Sequence, residues 1–370
     1  MTRRTGVRLR AARPSLAISL ALAVVACVEA SRDAAAAREV VFVGICDASA
    51  AVTLTGRLFA VADDEDSVLR VYDADRGGEP VRAVDLAPSL FPPDDEERAP
   101  KKKKKGKRKR SDADPATGAA PAQPRPRRAP ESDIEGATRI GDLAFWMTSH
   151  GRNRTGKRKD ARLLFFATTA RDGDDPLRIV GRAYERLLED LLADPRYAGF
   201  GLAAASELAP KEPGGLNLEG LGERPEGGVW IGFRNPIPGG RALVAPLLNP
   251  ERLGEGERAR LGDPILLDLG GLGIRSLSRW RGHTLIAAGS HADGGEARLY
   301  RWDGRGAALP LSGLALDDFN PEGFFSPEAR DEILLLSDDG VVEIDGEECK
   351  RLDDPARKRF RGRWIALPPL

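Results

Sequence analysis

Three widely separated segments of this chain keep one internal register, and that constrains its fold more than any other feature. Glu135-Gly136, Glu219-Gly220 and Glu322-Gly323 are each followed, eleven positions after the Glu, by a large apolar residue: Trp146, Trp230 and Ile333. Each segment ends in polar residues at the fifteenth and sixteenth positions, namely His150-Gly151, Arg234-Asn235 and Ser337-Asp338. A repeat architecture produces such a register, because each unit buries its apolar face only by stacking on its neighbours. Two further copies follow from it. Placing Ile286 on the apolar position puts Arg275 in the Glu place and Ser290-His291 at the polar end. Placing Phe59 there leaves Ala48 in the Glu place, with Asp47 beside it and Asp63-Asp64 at the polar end.

Short apolar runs at 58–62, 68–72, 144–148, 162–167, 229–233, 243–247, 284–288, 297–302 and 333–336 read as strands. Asp303-Gly304, Glu226-Gly227-Gly228 and Asp339-Gly340 supply turn chemistry between them. One segment departs from this pattern. Over 182–193, Tyr184, Leu187, Leu188, Leu191 and Leu192 follow helical spacing until Pro195, and a second helix is expected over 202–209. The expected fold is all-β: a β-propeller of five or six four-stranded blades with a small helical insertion over one end. The longest spacing between copies, 84 residues from Glu135 to Glu219, holds either that insertion or a degenerate sixth blade. A pair of β-sandwiches is the rival architecture, and it leaves the shared register unexplained.

Residues 1–37 read as a signal peptide, with a basic start (Arg3, Arg4, Arg8, Arg10, Arg13) and an apolar run at 16–28. That run is shorter than the roughly 20 residues a spanning helix needs. Cleavage after the alanines at 34–37 would release a secreted protein, whereas the lipobox-like Val24-Val25-Ala26-Cys27 would leave a lipidated Cys27 as the only membrane attachment. Residues 38–370 form the propeller. The two remaining cysteines, Cys46 and Cys349, stand near opposite ends of it. Two isolated buried thiols are the simpler expectation, and a bridge that locks ring closure is the alternative.

Residues 94–130 form a low-complexity basic insertion of net charge +7 that is expected to be disordered. Residues 1–37 carry +4, so the zero net charge of the whole leaves about −11 on the folded part. That balance favours bound cations and argues against nucleic acid. The insertion could dock on anionic envelope polymers or simply be a solvated loop. No paired cysteines at zinc spacing, no Walker loop and no G-x-S-x-G elbow occur.

In a propeller, equivalent positions of successive blades lie around one channel. Glu135, Glu219 and Glu322 would therefore meet, with Asn217 two residues before the second. Clustered carboxylates resist full ionisation unless a cation neutralises them, and oxygen donors suit Ca²⁺ before Mg²⁺. An ion-pair ring completed by Arg275 is the competing reading. At the polar strand ends, Arg152, Arg234 and Asn235 are candidates for holding an anion, and His150, with His291 at the equivalent place, for moving a proton.

The motifs Cys46-Asp47-Ala48-Ser49, Ala62-Asp63-Asp64-Glu65-Asp66, Asp133-Ile134-Glu135-Gly136, Ser149-His150-Gly151-Arg152-Asn153, Gly214-Gly215-Leu216-Asn217-Leu218-Glu219-Gly220-Leu221, Gly232-Phe233-Arg234-Asn235-Pro236, Leu267-Asp268-Leu269-Gly270-Gly271-Leu272-Gly273-Ile274-Arg275 and Leu336-Ser337-Asp338-Asp339-Gly340 carry a resemblance. Over residues 42–345 the chain resembles an uncharacterised bacterial family of exported proteins known only as a domain of unknown function. More loosely, the Glu-Gly pattern is similar to that of esterase-like phytases and gluconolactonase-type propellers, which implies channel carboxylates and a divalent metal. Together these readings give an exported, monomeric propeller, periplasmic or extracellular. Its polar channel is expected to bind a small anionic ligand or an envelope component without catalysis. The alternative is a metal-dependent hydrolase of a small phosphoester or lactone.

Overall fold

Alternation along the strands explains how the chain stacks. In 143–148, Ala144 and Trp146 face one neighbouring sheet while Phe145 and Met147 face the other, as the two-residue period of a strand requires. Such a sheet is apolar on both faces and needs a partner on each side. The computed structural model describes residue 2 and residues 38–92, 130–171, 177–292, 294–314, 316, 318–327 and 330–367. Apart from residue 2, the expected signal peptide with its lipobox lies outside these residues, as does nearly all of the basic insertion.

Five four-stranded antiparallel sheets result. Blade 1 is β2 (Ala50–Thr53), β3 (Leu58–Ala62), β4 (Val68–Asp73) and β5 (Arg82–Asp85). Blade 2 is β6 (Ile134–Ile140), β7 (Leu143–Thr148), β8 (Phe165–Thr169) and β9 (Ile179–Tyr184). Blade 3 is β10 (Asn217–Glu223), β11 (Val229–Asn235), β12 (Ala242–Leu247) and β13 (Ile265–Leu267). Blade 4 is β14 (Gly273–Trp280), β15 (His283–Gly289), β16 (Ala297–Trp302) and β17 (Leu309–Pro310). Blade 5 is β18 (Pro321–Phe325), β19 (Glu332–Ser337) and β22 (Arg359–Ala366), and its outer strand is β1 (Arg38–Val43) from the other end of the unit. A hairpin of β20 (Glu343–Ile344) and β21 (Glu347–Glu348) projects between β19 and β22.

The first strands of the blades adjoin in a closed ring, β2 to β6 to β10 to β14 to β18 and back to β2. Each blade interface has its own apolar core. Trp146 packs with blade 1, Phe145 with Ile231 of blade 3, Trp230 with Trp302 of blade 4, Leu299 with Phe324 of blade 5, and Phe325 with Phe59 of blade 1. The architecture is therefore a five-bladed propeller, and the helical insertion fills the long spacing. The glycine of the Glu-Gly pair has a packing reason. A Cβ on Gly136 would lie 2.8 Å from the Glu219 carbonyl, and one on Gly220 would lie 2.6 Å from Ile274 Cγ2. Adjacent inner strands approach too closely for any side chain there.

All nine strands read from the sequence are present, with ends shifted by a few residues. The helix expected over 182–193 is only partly so. Residues 182–184 belong to β9, where Tyr184 pairs with Phe165, and α1 is Leu187–Ala193. Strand pairing and burial of Tyr184 override the helical spacing there. The second expected helix shortens to Leu202–Ala205. The insertion packs Leu187, Leu191, Tyr197 and Leu202 against blades 2 and 3.

Isolated thiols are corrected: Cys46 and Cys349 form a disulfide, with Cα atoms 5.8 Å apart. It joins the link between β1 and β2 to the link between β21 and β22, beside the seam where the ring closes. Ile344 and Leu352 bury it. Among the described residues no helix is long and apolar enough to cross a membrane.

Candidate functional site

Four of the five inner strands carry a bulge at the same register position. The pairing skips from Ile134 to Gly136, from Leu218 to Gly220, from Ile274 to Ser276 and from Pro321 to Gly323. The residues skipped are Glu135, Glu219, Arg275 and Glu322. A bulge takes its extra residue out of the ladder and re-aims the side chain. Ion pairs between different blades show that Glu219, Arg275 and Glu322 meet.

Arg234 Nη1 lies 2.7 Å from Glu219 Oε1 and 3.8 Å from Glu322 Oε1. Arg275 pairs with Glu322 and stands 3.8 Å from Glu219 Oε2. All four side chains are at least nine-tenths buried. Burial pushes the Glu219 carboxyl up in spite of Arg234 and Arg275, whereas for Glu322 the two arginines outweigh burial and hold it below its ordinary value. Asn217 Nδ2 donates to Glu219 Oε1 at 2.6 Å. Glu135 is half-buried in the same ring, its carboxyl pushed well up by burial and by Glu219, Asp133 and Glu322. The three repeat glutamates thus converge as the register implies, and two of them are engaged by arginine.

A second group sits at the rim where the inner strands begin. Carboxylate oxygens of Asp47, Glu322 and Asp338 lie within 4.8 Å of one another. Asp47 comes from the β1–β2 link, Glu322 from the bulge of β18, and Asp338 from the residue after β19. The backbone sets this geometry: Asp47 bridges Asp338 across the seam, and Asp339 N donates to Cys46 O at 2.9 Å. Asp338 accepts from Gly340 N at 2.8 Å and from Asn320 Nδ2 at 3.1 Å. Burial, reinforced by Asp64, Asp338 and Glu322, raises Asp47 well above the carboxylate range. Asp64 is raised likewise by burial and Asp63. Burial and Glu322 push Asp338 up to about 6. Asp47 Oδ1, Asp64 Oδ1 and Glu219 Oε2 are buried without a hydrogen-bond partner. Such a cluster holds either protons or a cation.

The residues suggested for chemistry are mostly committed within the fold. His150 is buried; its Nδ1 lies 2.7 Å from Thr148 O, and burial lowers it to about 4. Its Nε2 is buried and unpartnered. Arg152 donates to Ser206 O and Gly156 O and pairs with Glu207, tying the helical insertion to the β7–β8 loop. Asn235 Nδ2 donates to Pro210 O at 2.9 Å and Glu212 O at 2.8 Å, holding the end of the same insertion. Beyond Glu219, Arg234 donates to Ser290 O at 2.9 Å and Ala292 O at 3.2 Å. His291, half-buried, lies between those two acceptors in the chain. The rim trio adds Asp47 and Asp338 to the residues singled out as ligands. Their signal was their register: Asp338 occupies the place of Asn235, and Asp47 stands next to the Glu position of blade 1.

Residues 176–312 match a family model described as "Protein of unknown function (DUF3616)". The matched stretch runs from the end of blade 2 through blades 3 and 4, and so includes Asn217, Glu219, Arg234, Asn235 and Arg275. No curated protein matches the chain. Solved structures similar to it include virginiamycin B lyase from Staphylococcus aureus, at 8% identity, covering 89% of this chain and 100% of that one, with a TM-score of 0.38. A luciferin-regenerating enzyme matches at 8% identity over 89% of this chain and 95% of that one, with a TM-score of 0.38. The Cps50 (Swd1) beta-propeller domain of Myceliophthora thermophila matches at 7% identity over 90% and 100%, with a TM-score of 0.35. Likenesses this faint assign nothing. The propeller rests on the strand pairing described above.

Proposed function

We propose that this is an exported propeller that binds a divalent cation, Ca²⁺ before Mg²⁺, at the rim of its channel and serves as a non-catalytic binding module. The observation that carries the reading is the convergence of Asp47, Glu322 and Asp338 oxygens from three separate segments to within 4.8 Å. The donors are all oxygen, which suits a hard ion. The buried unpartnered oxygens of Asp47 and Asp64 support the same reading, because an uncompensated buried charge is costly. A hydrolase would need His150, Arg152, Arg234 and Asn235 free to face a substrate. Here their groups are buried or engaged by backbone and glutamate partners, which favours binding over catalysis. Export is supported by the basic-then-apolar start of the chain and by a buried disulfide of the kind that persists in oxidising compartments.

Thermal unfolding at neutral pH with and without Ca²⁺ tests the proposal. A site filled at a hundredfold excess over its dissociation constant adds about 2.7 kcal/mol. The melting temperature should rise with Ca²⁺ in the parent and stay put in Asp47→Asn. Equal rises in both would remove the rim trio from the site.

A further inference from the structure

An open cleft of about 850 Å³ lies between blades 4 and 5 on the same rim. Its lining includes the apolar Leu311, Leu314, Val341 and Val342 and the polar Asn320 and Asp338. Val341 and Val342 are 62% and 42% exposed, unusual for neighbouring β-branched apolar residues. The volume is in the range of small-molecule sites, which combine apolar walls with a few placed polar groups.

The charges around the cleft decide what it takes. Arg361 is committed to Asp339 through contacts of 2.9 and 2.8 Å and to Asp318 O. Arg298 is committed to Glu296 at 2.6 and 2.8 Å. Asp318 pairs with Arg363 at 3.3 Å. Asp338 differs: among the described residues it forms no ion pair, it accepts from the neutral donors Gly340 N and Asn320 Nδ2, and the nearby Arg275 is committed to Asn320 and Glu322. An anionic head would meet no uncommitted cation here and would face Asp338. A cationic head would meet a carboxylate that no ion pair occupies.

We infer that this cleft binds a small amphipathic amine, its ammonium group on Asp338 and its apolar chain along Leu311, Leu314, Val341 and Val342. This deepens the binding-module reading by naming a ligand class, and it does not need the divalent cation. The two occupants would compete for Asp338.

Calorimetric titration of the full chain with octylamine, octanoate and octanol in EDTA at neutral pH tests the inference. Octylamine should bind at a single site, with octanoate and octanol at least tenfold weaker. Asp338→Asn should lose at least tenfold for octylamine. The paired change Val341→Ser and Val342→Ser, at exposed positions that leave folding intact, should weaken it severalfold. The titration is run in EDTA, so failure of the cation reading shows only in the Ca²⁺ melts. Octanoate binding as tightly as octylamine, or octylamine binding unchanged in both the Asp338 and the paired valine variants, would overturn the inference.

Discussion

Removing the Cys46–Cys349 bridge with paired alanines should cost several kcal/mol and loosen the rim trio as well. The bridge closes 303 residues of sequence. Chain-entropy arithmetic for a loop of that size gives roughly 5–6 kcal/mol at 25 °C, taken from the unfolded state, and measured losses on deleting native bridges run at about 2–5 kcal/mol. Alanine is the better replacement, since a serine hydroxyl would be stranded beside Ile344 and Leu352. In guanidinium unfolding, the midpoint of C46A/C349A should fall by the equivalent of about 3–5 kcal/mol. The denaturant slope should rise, because the unfolded chain is no longer held in a ring. A local effect should accompany it. Cys46 precedes Asp47, its carbonyl accepts from Asp339 N, and Cys349 N and Lys350 N donate to Val342 O and Gly340 O beside Asp338. The Ca²⁺-induced rise in melting temperature should therefore shrink in the variant. A midpoint within about 0.5 kcal/mol of the parent would refute the entropic argument, because no native contact near the bridge could restore so large a loss. An unchanged Ca²⁺ response would show that β1–β22 pairing alone positions the trio.

Stability should also depend on pH with an unusual sign. Burial raises Asp63, Asp133 and Asp338 from 3.8 to about 6, so the folded state keeps protons that the unfolded chain releases. Their contribution is complete below about pH 4 and is lost as pH rises through 6, at about 1.4 kcal/mol for each tenfold difference in proton affinity between the folded and unfolded chain. In EDTA, melting temperatures should fall between pH 4 and 7, less steeply in Asp63→Asn, and Ca²⁺ should restore stability at the upper end; a slope unaltered in that variant would contradict the assignment. Arg275→Met leaves Glu322 with a weakened counter-charge and should cost about 3–5 kcal/mol in chemical unfolding without Ca²⁺. The same change makes the trio more negative, so its Ca²⁺ response should grow; undiminished stability would mean that Arg234 alone neutralises the cluster.

What the sequence determined by itself was local or periodic. The strands at 58–62 and 229–233 follow from alternation and turn residues, and the Glu-Gly register follows from a packing need repeated in each blade. That register was enough to bring Glu135, Glu219 and Glu322 to one axis. Only the tertiary structure decided which groups neutralise one another there. Arg234 and Arg275 reach Glu219 and Glu322 from different strands, and a linear pattern does not encode distances across a ring. The seam is of the same kind. β1 completes blade 5, Cys46 meets Cys349, and Asp47 meets Asp338 because closure brings together residues about 300 positions apart. The start of the expected helix became strand for the same physical reason: pairing of Tyr184 with Phe165 outweighs a weak local preference.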